Sequence, residues 1–202
     1  MNTITTIIFD FGGVLMDWNP RYAYKPIFKD DEKMEWFLEN ICTDEWNIEQ
    51  DRGRTLKEGT QLLQKQHPEY HDLIQAYYDN WETMLHSDIP ESVEILKILA
   101  AKYPTYGLTN WSAETFPIAY KKYSHFQLFK GILVSGEEKL IKPNPEIYKL
   151  MLKRFDLDAE NSLFIDDNIK NIEAAKELNF NCIHFHSPEQ LKKDLIEMKI
   201  LD

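Results

Sequence analysis

The chain has 202 residues, one domain's worth or one domain with an insertion, and 43% of them are hydrophobic, enough for a core without disulfides. Lys and Arg number 23 against 34 Asp and Glu, a net charge of −11. That excess opposes binding to nucleic-acid phosphates and to anionic membrane surfaces, so neither is an expected partner. An anionic substrate would have to be met locally, by a metal, a lysine or backbone amides.

The opening run, Ile7-Ile8-Phe9, ends in Asp10 and is followed by Gly12 and Gly13. A short apolar run closed by glycines reads as a buried parallel strand entering a loop. From Asp17 to His86 no strand is expected. Met34, Phe37, Leu38 and Ile41 form one helical stripe, and Ile74, Tyr77, Tyr78, Trp81 and Leu85 another, with two shorter helices between them around Gly53 and Gly59.

From Pro90 onward helix and strand alternate. A helix over Glu91–Lys102 precedes a strand ending at Leu108-Thr109. A helix from about Ala113 precedes the strand Ile132–Val134. Asn144 and Pro145 read as an N-cap and first-turn proline, opening a helix with Ile147, Leu150, Met151 and Phe155. The strand Leu163–Ile165 runs into Asp166-Asp167. A helix to about Leu178, the strand Cys182–Phe185 and a helix with Leu191, Leu195 and Met198 complete the chain. The pattern predicts an α/β fold: a Rossmann-like parallel sheet with helices on both faces, plus a small all-helical cap inserted after the first strand. Residues 1–16 and 88–202 would form the core and 17–87 the cap.

Ligands of such sheets bind beyond the carboxyl ends of the strands. The residues there are Asp10 to Gly13, Thr109-Asn110, Ser135-Gly136 and Asp166-Asp167. Three carboxylates at one rim repel each other, and a hard divalent cation relieves the repulsion. Asp166-Asp167 would equally serve as a helix N-cap pair. Gly12 and Gly13 leave backbone N–H groups for an anion, or make a tight turn. Thr109 and Asn110 offer a hydroxyl and an amide to a phosphate oxygen. Lys142 would be the fixed cation near this acidic rim.

Four motifs in order resemble the haloacid dehalogenase superfamily: IIFDFGGVL with Asp10, GLTN with Thr109, LIKPNPEIY with Lys142, and LFIDDNIKN with Asp166 and Asp167. They frame essentially the whole chain. The resemblance implies a nucleophilic Asp10 that forms an aspartyl phosphate. It also implies magnesium on the Asp10 carboxylate, the Gly12 carbonyl and Asp167, with Asp166 supporting the ion directly or through water. Thr109 and Lys142 would hold phosphoryl oxygens. Asn171 stands where relatives often carry a further acid. The segment Glu49–Gly53 resembles a substrate-contacting cap loop, which makes Arg52 a candidate. Trp18, Trp46, Asp51 and Trp81 are further cap side chains considered for substrate contact.

Gly12 departs from the pattern. Phosphatases of the superfamily usually place a second aspartate there, which protonates the leaving oxygen. The DxG form resembles a bacterial subgroup that includes a glucose-1-phosphate phosphatase. The expected activity is therefore magnesium-dependent hydrolysis of a small phosphorylated metabolite, with a sugar phosphate in view. One alternative is a 2-haloacid dehalogenase, whose branch needs no metal and usually carries a motif-one tyrosine, absent here. Another is a low-activity binding or regulatory protein without the acid.

Cys42 and Cys182 read as free thiols. The N-terminus lacks a basic start and is interrupted by Asp10, so no signal peptide and a cytoplasmic location are expected. The sequence does not fix the oligomeric state; a monomer is favoured.

Overall fold

A computed structural model describes residues 3–201. Strand β1 is Thr6–Phe9 and β2 Met16–Trp18. Six helices follow: α1 Arg21–Tyr24, α2 Asp31–Asn40, α3 Asp44–Asp51, α4 Leu56–Gln66, α5 His71–Asp79 and α6 Trp81–Met84. Then come β3 Leu85–Asp88, α7 Pro90–Lys102, β4 Thr105–Thr109, α8 Phe116–Lys122, β5 Gly131–Val134 and α9 Ser135–Glu138. The chain ends with α10 Pro145–Phe155, β6 Ser162–Asp166, α11 Ile169–Glu177, β7 Asn181–His184 and α12 Pro188–Glu197.

Five strands form a parallel sheet in the order β5-β4-β1-β6-β7. Strand β1 lies between β4 and β6, with Phe9 opposite both Gly107 and Ile165. Parallel strands covered on both faces are apolar throughout, and the period of two then sorts their side chains. Ile7, Phe9, Leu163 and Ile165 enter one buried cluster with Val93, Leu96 and Leu99 of α7 and with Leu191 and Leu195 of α12. Ile8, Leu108, Leu133 and Phe164 enter the other, with Ile147, Tyr148 and Met151 of α10 and Ile172 and Ala175 of α11. The doubly covered α/β sheet is as the sequence predicts.

Side-chain caps define many helix starts, because the first backbone N–H groups lack partners inside the helix. Thr43 accepts from Trp46 N at 3.1 Å, Thr55 from Glu58 N at 3.1 Å, and Asn168 from Lys170 N at 3.0 Å. Asn144 accepts from Glu146 N at 3.0 Å, with Pro145 in the first turn.

The expectation of no strand between Asp17 and His86 needs correcting. Antiparallel strands β2 and β3 pair Met16 with Asp88 and Asp17 with Ser87, with a register shift at Trp18. Each is only three or four residues long and half-exposed, too short for a period of two to declare itself. This hairpin carries the chain into and out of the helical insert. The apolar cluster runs on through it into the insert, joining Leu15, Met16 and Leu85 to Tyr24, Phe37 and Tyr77. Among the described residues no helix is long and apolar enough to cross a membrane. Both cysteines are free thiols, Cys42 buried and Cys182 partly so.

Candidate active site

Strand register decides which side chains meet. Because Phe9 is level with Ile165, Asp10 leaves β1 beside the end of β6, and its N–H donates to Ile165 O at 2.9 Å. Asp166 ends β6, and Asp167 follows it. Oxygens of Asp10, Asp166 and Asp167 all lie within 4.8 Å of one another.

Lys142 reaches into this cluster. Its ammonium is 2.9 Å from Asp10 Oδ1 and 2.6 Å from Asp166 Oδ2, and the residue is only 2% exposed. Its backbone is fixed as well. Asn110 Oδ1 accepts from Lys142 N at 2.8 Å, and Asn110 Nδ2 donates to Lys142 O at 3.0 Å. Asn110 was expected to hold a phosphate oxygen, but both ends of its amide are occupied by the lysine backbone. It positions Lys142, whose N–H and C=O lie in the turn before α10 and are satisfied together by the one amide.

Asp166 is wholly buried and fully engaged. Besides Lys142 it accepts from Asn168 N at 2.8 Å and from Asn171 Nδ2 at 3.0 and 3.1 Å on its two oxygens. Asn171 thus supports a carboxylate from within. Asp10 is bonded through one oxygen: Phe11 N at 2.7 Å and Lys142 both meet Oδ1. Among the described residues nothing donates to Oδ2.

Electrostatics follow from one ammonium among three carboxyls. Burial pushes the Asp10 carboxyl up; Lys142 opposes the rise and Asp166 adds to it. Asp167 is raised too, by burial and then by the charge of Asp166. Burial alone would lower Lys142, but the charges of Asp10 and Asp166 hold it above the ordinary lysine value. The lysine is therefore a fixed cation, and the cluster still carries excess negative charge. That donor set fits a hard divalent cation. The oxygens open to it are Asp10 Oδ2 and the carboxylate of the exposed Asp167.

The two glycines differ. Gly13 has a left-handed φ of 71°, and a Cβ there would run into the Asp167 carboxyl. Its N–H is used, donating to Met16 O at 3.0 Å. The expected open amide at Gly13 is thus closed by the turn leading into β2. At Gly12 a Cβ would meet nothing within 4 Å. Thr109 is buried at the end of β4, level with Val134.

Next to this rim, between core and insert, is a cavity of about 130 Å³. Gly12, Asn110, Trp111 and Ser112 line it from the core, and Trp18, Asp51 and Trp81 from the hairpin and insert. Arg52 is not in its wall; its guanidinium pairs with Glu49 at 3.2 Å on the exposed side of α3. Trp46 is buried inside the insert, donating to Gly59 O at 3.1 Å. Trp111 and Ser112 were not among the sequence candidates, although their place directly after Thr109-Asn110 at a strand end was the signal for them.

A family model described as haloacid dehalogenase-like hydrolase matches residues 7–185. The chain is a haloacid dehalogenase-like hydrolase. It is 27% identical over 192 residues to the sesquiterpene phosphatase astK of Aspergillus oryzae, a match spanning 90% of each chain. It is 26% identical over 196 residues to the drimenol cyclase drtB of Aspergillus calidoustus, covering 95% of this chain but 36% of that longer one. Among solved structures, a predicted HAD-like hydrolase of Porphyromonas gingivalis superposes over the whole of both chains with a TM-score of 0.76 at 20% identity. A HAD-family enzyme of Bacteroides thetaiotaomicron, in complex with magnesium and inorganic phosphate, gives 0.67 at 23% identity, covering 89% of this chain and 93% of that one. This hydrolase therefore shares its fold with enzymes over nearly its full length.

Proposed function

We propose that this hydrolase is a magnesium-dependent phosphatase of a small phosphorylated metabolite, acting through an aspartyl phosphate on Asp10. The observation that carries the reading is the buried Lys142 ammonium bridging Asp10 and Asp166 within a three-carboxylate rim. A sheet scaffold has no need of that arrangement, since buried charges cost more than apolar replacements. The phosphatase relative and the phosphate-bound neighbour point the same way.

In this reading one oxygen of the Asp10 carboxylate attacks phosphorus, a covalent route open to carboxylates. Lys142 offsets part of the burial that opposes ionisation of Asp10 and meets the charge on the phosphoryl oxygens. Thr109 Oγ1 holds another of these oxygens. Asp166 anchors Lys142. Asp10, the Gly12 carbonyl and Asp167 would hold magnesium, which when bound neutralises phosphoryl charge.

A 150 Å³ apolar cavity holds benzene, so about 130 Å³ suits a leaving group the size of one six-membered ring. Trp18 and Trp81 line it with apolar surface, and Asp51 with a polar group, which agrees with a sugar phosphate. The test is a panel of phosphate monoesters assayed with magnesium and with excess chelator, alongside Asp10→Asn. Turnover should vanish in chelator, return with magnesium, and stay at background in a folded Asp10→Asn variant. Full turnover in chelator, or a tenth of wild-type turnover in Asp10→Asn, would refute the reading.

A further inference from the structure

A phosphatase with glycine two residues after its nucleophile must find its proton elsewhere. Three side chains near the insert could be considered: Asp17, His86 and Asp51. Asp17 accepts from Tyr22 OH at 2.9 Å, and His86 stacks on the same tyrosine at 4.9 Å, outside the cavity. Asp51 lines the cavity with Gly12, and among the described residues it is the only carboxyl that does.

Asp51 belongs to the insert but is held by the core. Its carbonyl accepts from Ser135 Oγ at 2.6 Å, and Ser135 Oγ in turn accepts from Trp111 N at 2.9 Å. Its carboxyl takes a hydrogen bond from the Ser112 backbone. Two residues on, Gly53 has a φ of 99°, and a Cβ there would lie 3.0 Å from both Gly136 O and Lys139 Cγ. The turn after α3 is thus seated on the strand-end loops that follow β4 and β5. Those loops also carry Asn110, which fixes Lys142.

We propose, resting on the phosphatase reading, that Asp51 is the general acid that replaces the missing aspartate at Gly12. In the first step the Asp10 Oδ–P bond forms and the bond from phosphorus to the leaving oxygen breaks. The Asp51 proton passes to that oxygen, giving an alcohol and an Asp51 carboxylate. In the second step water attacks phosphorus, its proton goes to Asp51, and the P–O bond to Asp10 breaks. Phosphate leaves, and both side chains regain their starting states.

The environment suits the role. Burial raises Asp51 to about 7, with the Ser112 hydrogen bond as a partial offset. A general acid works best with a pKa near the operating pH. In the turn just after its own helix, Arg52 is turned away to Glu49, and Arg54 is committed to Gln50 Oε1 and to the Trp46 carbonyl. From α5, Tyr77 and Tyr78 face Asp51 and are pushed further up by its charge. From the core, Lys139 packs against Gly53.

The test compares wild type with Asp51→Asn on 4-nitrophenyl phosphate, a good leaving group, and on a primary alkyl phosphate, a poor one. Positioned acids contribute about 10²–10⁴-fold. Asp51→Asn should lose at least about a hundredfold on the alkyl ester and less than about tenfold on the nitrophenyl ester. Wild type should show an alkaline fall of kcat/KM near pH 7 as Asp51 loses its proton, and Asp51→Asn should lack it. In the double variant Gly12→Asp with Asp51→Asn the new Cβ meets nothing within 4 Å, and alkyl-ester turnover should recover at least tenfold. Nitrophenyl turnover shows that the variant is folded. Equal losses on both esters, or no loss on either, would overturn the assignment. Wild type that hydrolyses neither ester would overturn the phosphatase reading itself.

Discussion

Replacing Lys142 by methionine tests the electrostatic account of the rim. Methionine keeps the unbranched stem over the Phe164 ring, where the ammonium now lies 5.5 Å from the ring centroid. What is lost is the cation between two carboxylates that are 8% and 0% exposed. Removing one partner of a buried ion pair costs about 3–5 kcal/mol, because the remaining charge is left uncompensated. With a urea m-value of about 2 kcal/mol per molar, the midpoint should drop by roughly 1.5–2.5 M at pH 7.5.

The loss should depend on pH. Without Lys142 the Asp10 carboxyl, already raised by burial, is raised further. An acid with a raised folded pKa binds more protons folded than unfolded, so its contribution falls as pH rises. The deficit of Lys142→Met should therefore be smallest near pH 5 and grow through neutrality. Magnesium, which binds only the folded rim in this account, should stabilise the variant more than wild type. Urea titrations at pH 5 and pH 7.5, each with and without magnesium, read all of this. A loss under about 1 kcal/mol at both pH values would place Lys142 among ordinary surface pairs and refute the reasoning.

Three further outcomes are expected. Gly13→Ala puts a Cβ against the Asp167 carboxyl at a φ of 71°; it should cost roughly 1–2 kcal/mol and raise the magnesium concentration needed for half-maximal activity, and an unchanged requirement would argue against Asp167 as a ligand. Arg52→Ala should change kcat and KM less than twofold, since its guanidinium pairs outward with Glu49; a tenfold rise in KM would return Arg52 to the substrate. Magnesium affinity, measured by calorimetry, should strengthen as pH rises from 5 to 8, because the raised carboxyls of Asp10 and Asp167 must lose protons to bind; a flat profile would contradict this.

The core was legible because the signals were local and strong. Ile7-Ile8-Phe9 and Leu163-Phe164-Ile165 are buried on both faces, and such unbroken apolar runs mark parallel strands whose carboxyl ends share one rim. Asn144-Pro145 announced its helix. The hairpin was not legible, since Met16–Trp18 and Leu85–Asp88 are brief and lie far apart in sequence. The committed amide of Asn110 was hidden for a different reason. A strand-end asparagine looks the same whether it faces a ligand or closes a neighbour's backbone, and only the 2.8 and 3.0 Å bonds to Lys142 decide. In the insert, Asp51 and Arg52 adjoin in sequence, yet Asp51, the last residue of α3, lines the cavity, while Arg52, just past the helix end, pairs outward with Glu49.

The hairpin of β2 and β3 has a consequence for how such a protein can change. The insert departs and returns on adjacent paired strands, so the core sees it as one loop whose ends already meet. Closing a flexible loop costs only about (3/2)RT ln n, and doubling its length adds roughly 0.6 kcal/mol. The length of the insert is thus nearly invisible to the folding of the sheet. Helices can be gained, lost or exchanged beyond Trp18 and Leu85 while Asp10, Lys142 and Asp166 keep their spacing, provided the newcomer still covers the apolar face around Leu15 and Met16. Selection on the outer helices of the insert and selection on the carboxylate rim can therefore act on different stretches of the same chain, with Asp51, seated on the core through Ser135, as the point where the two meet.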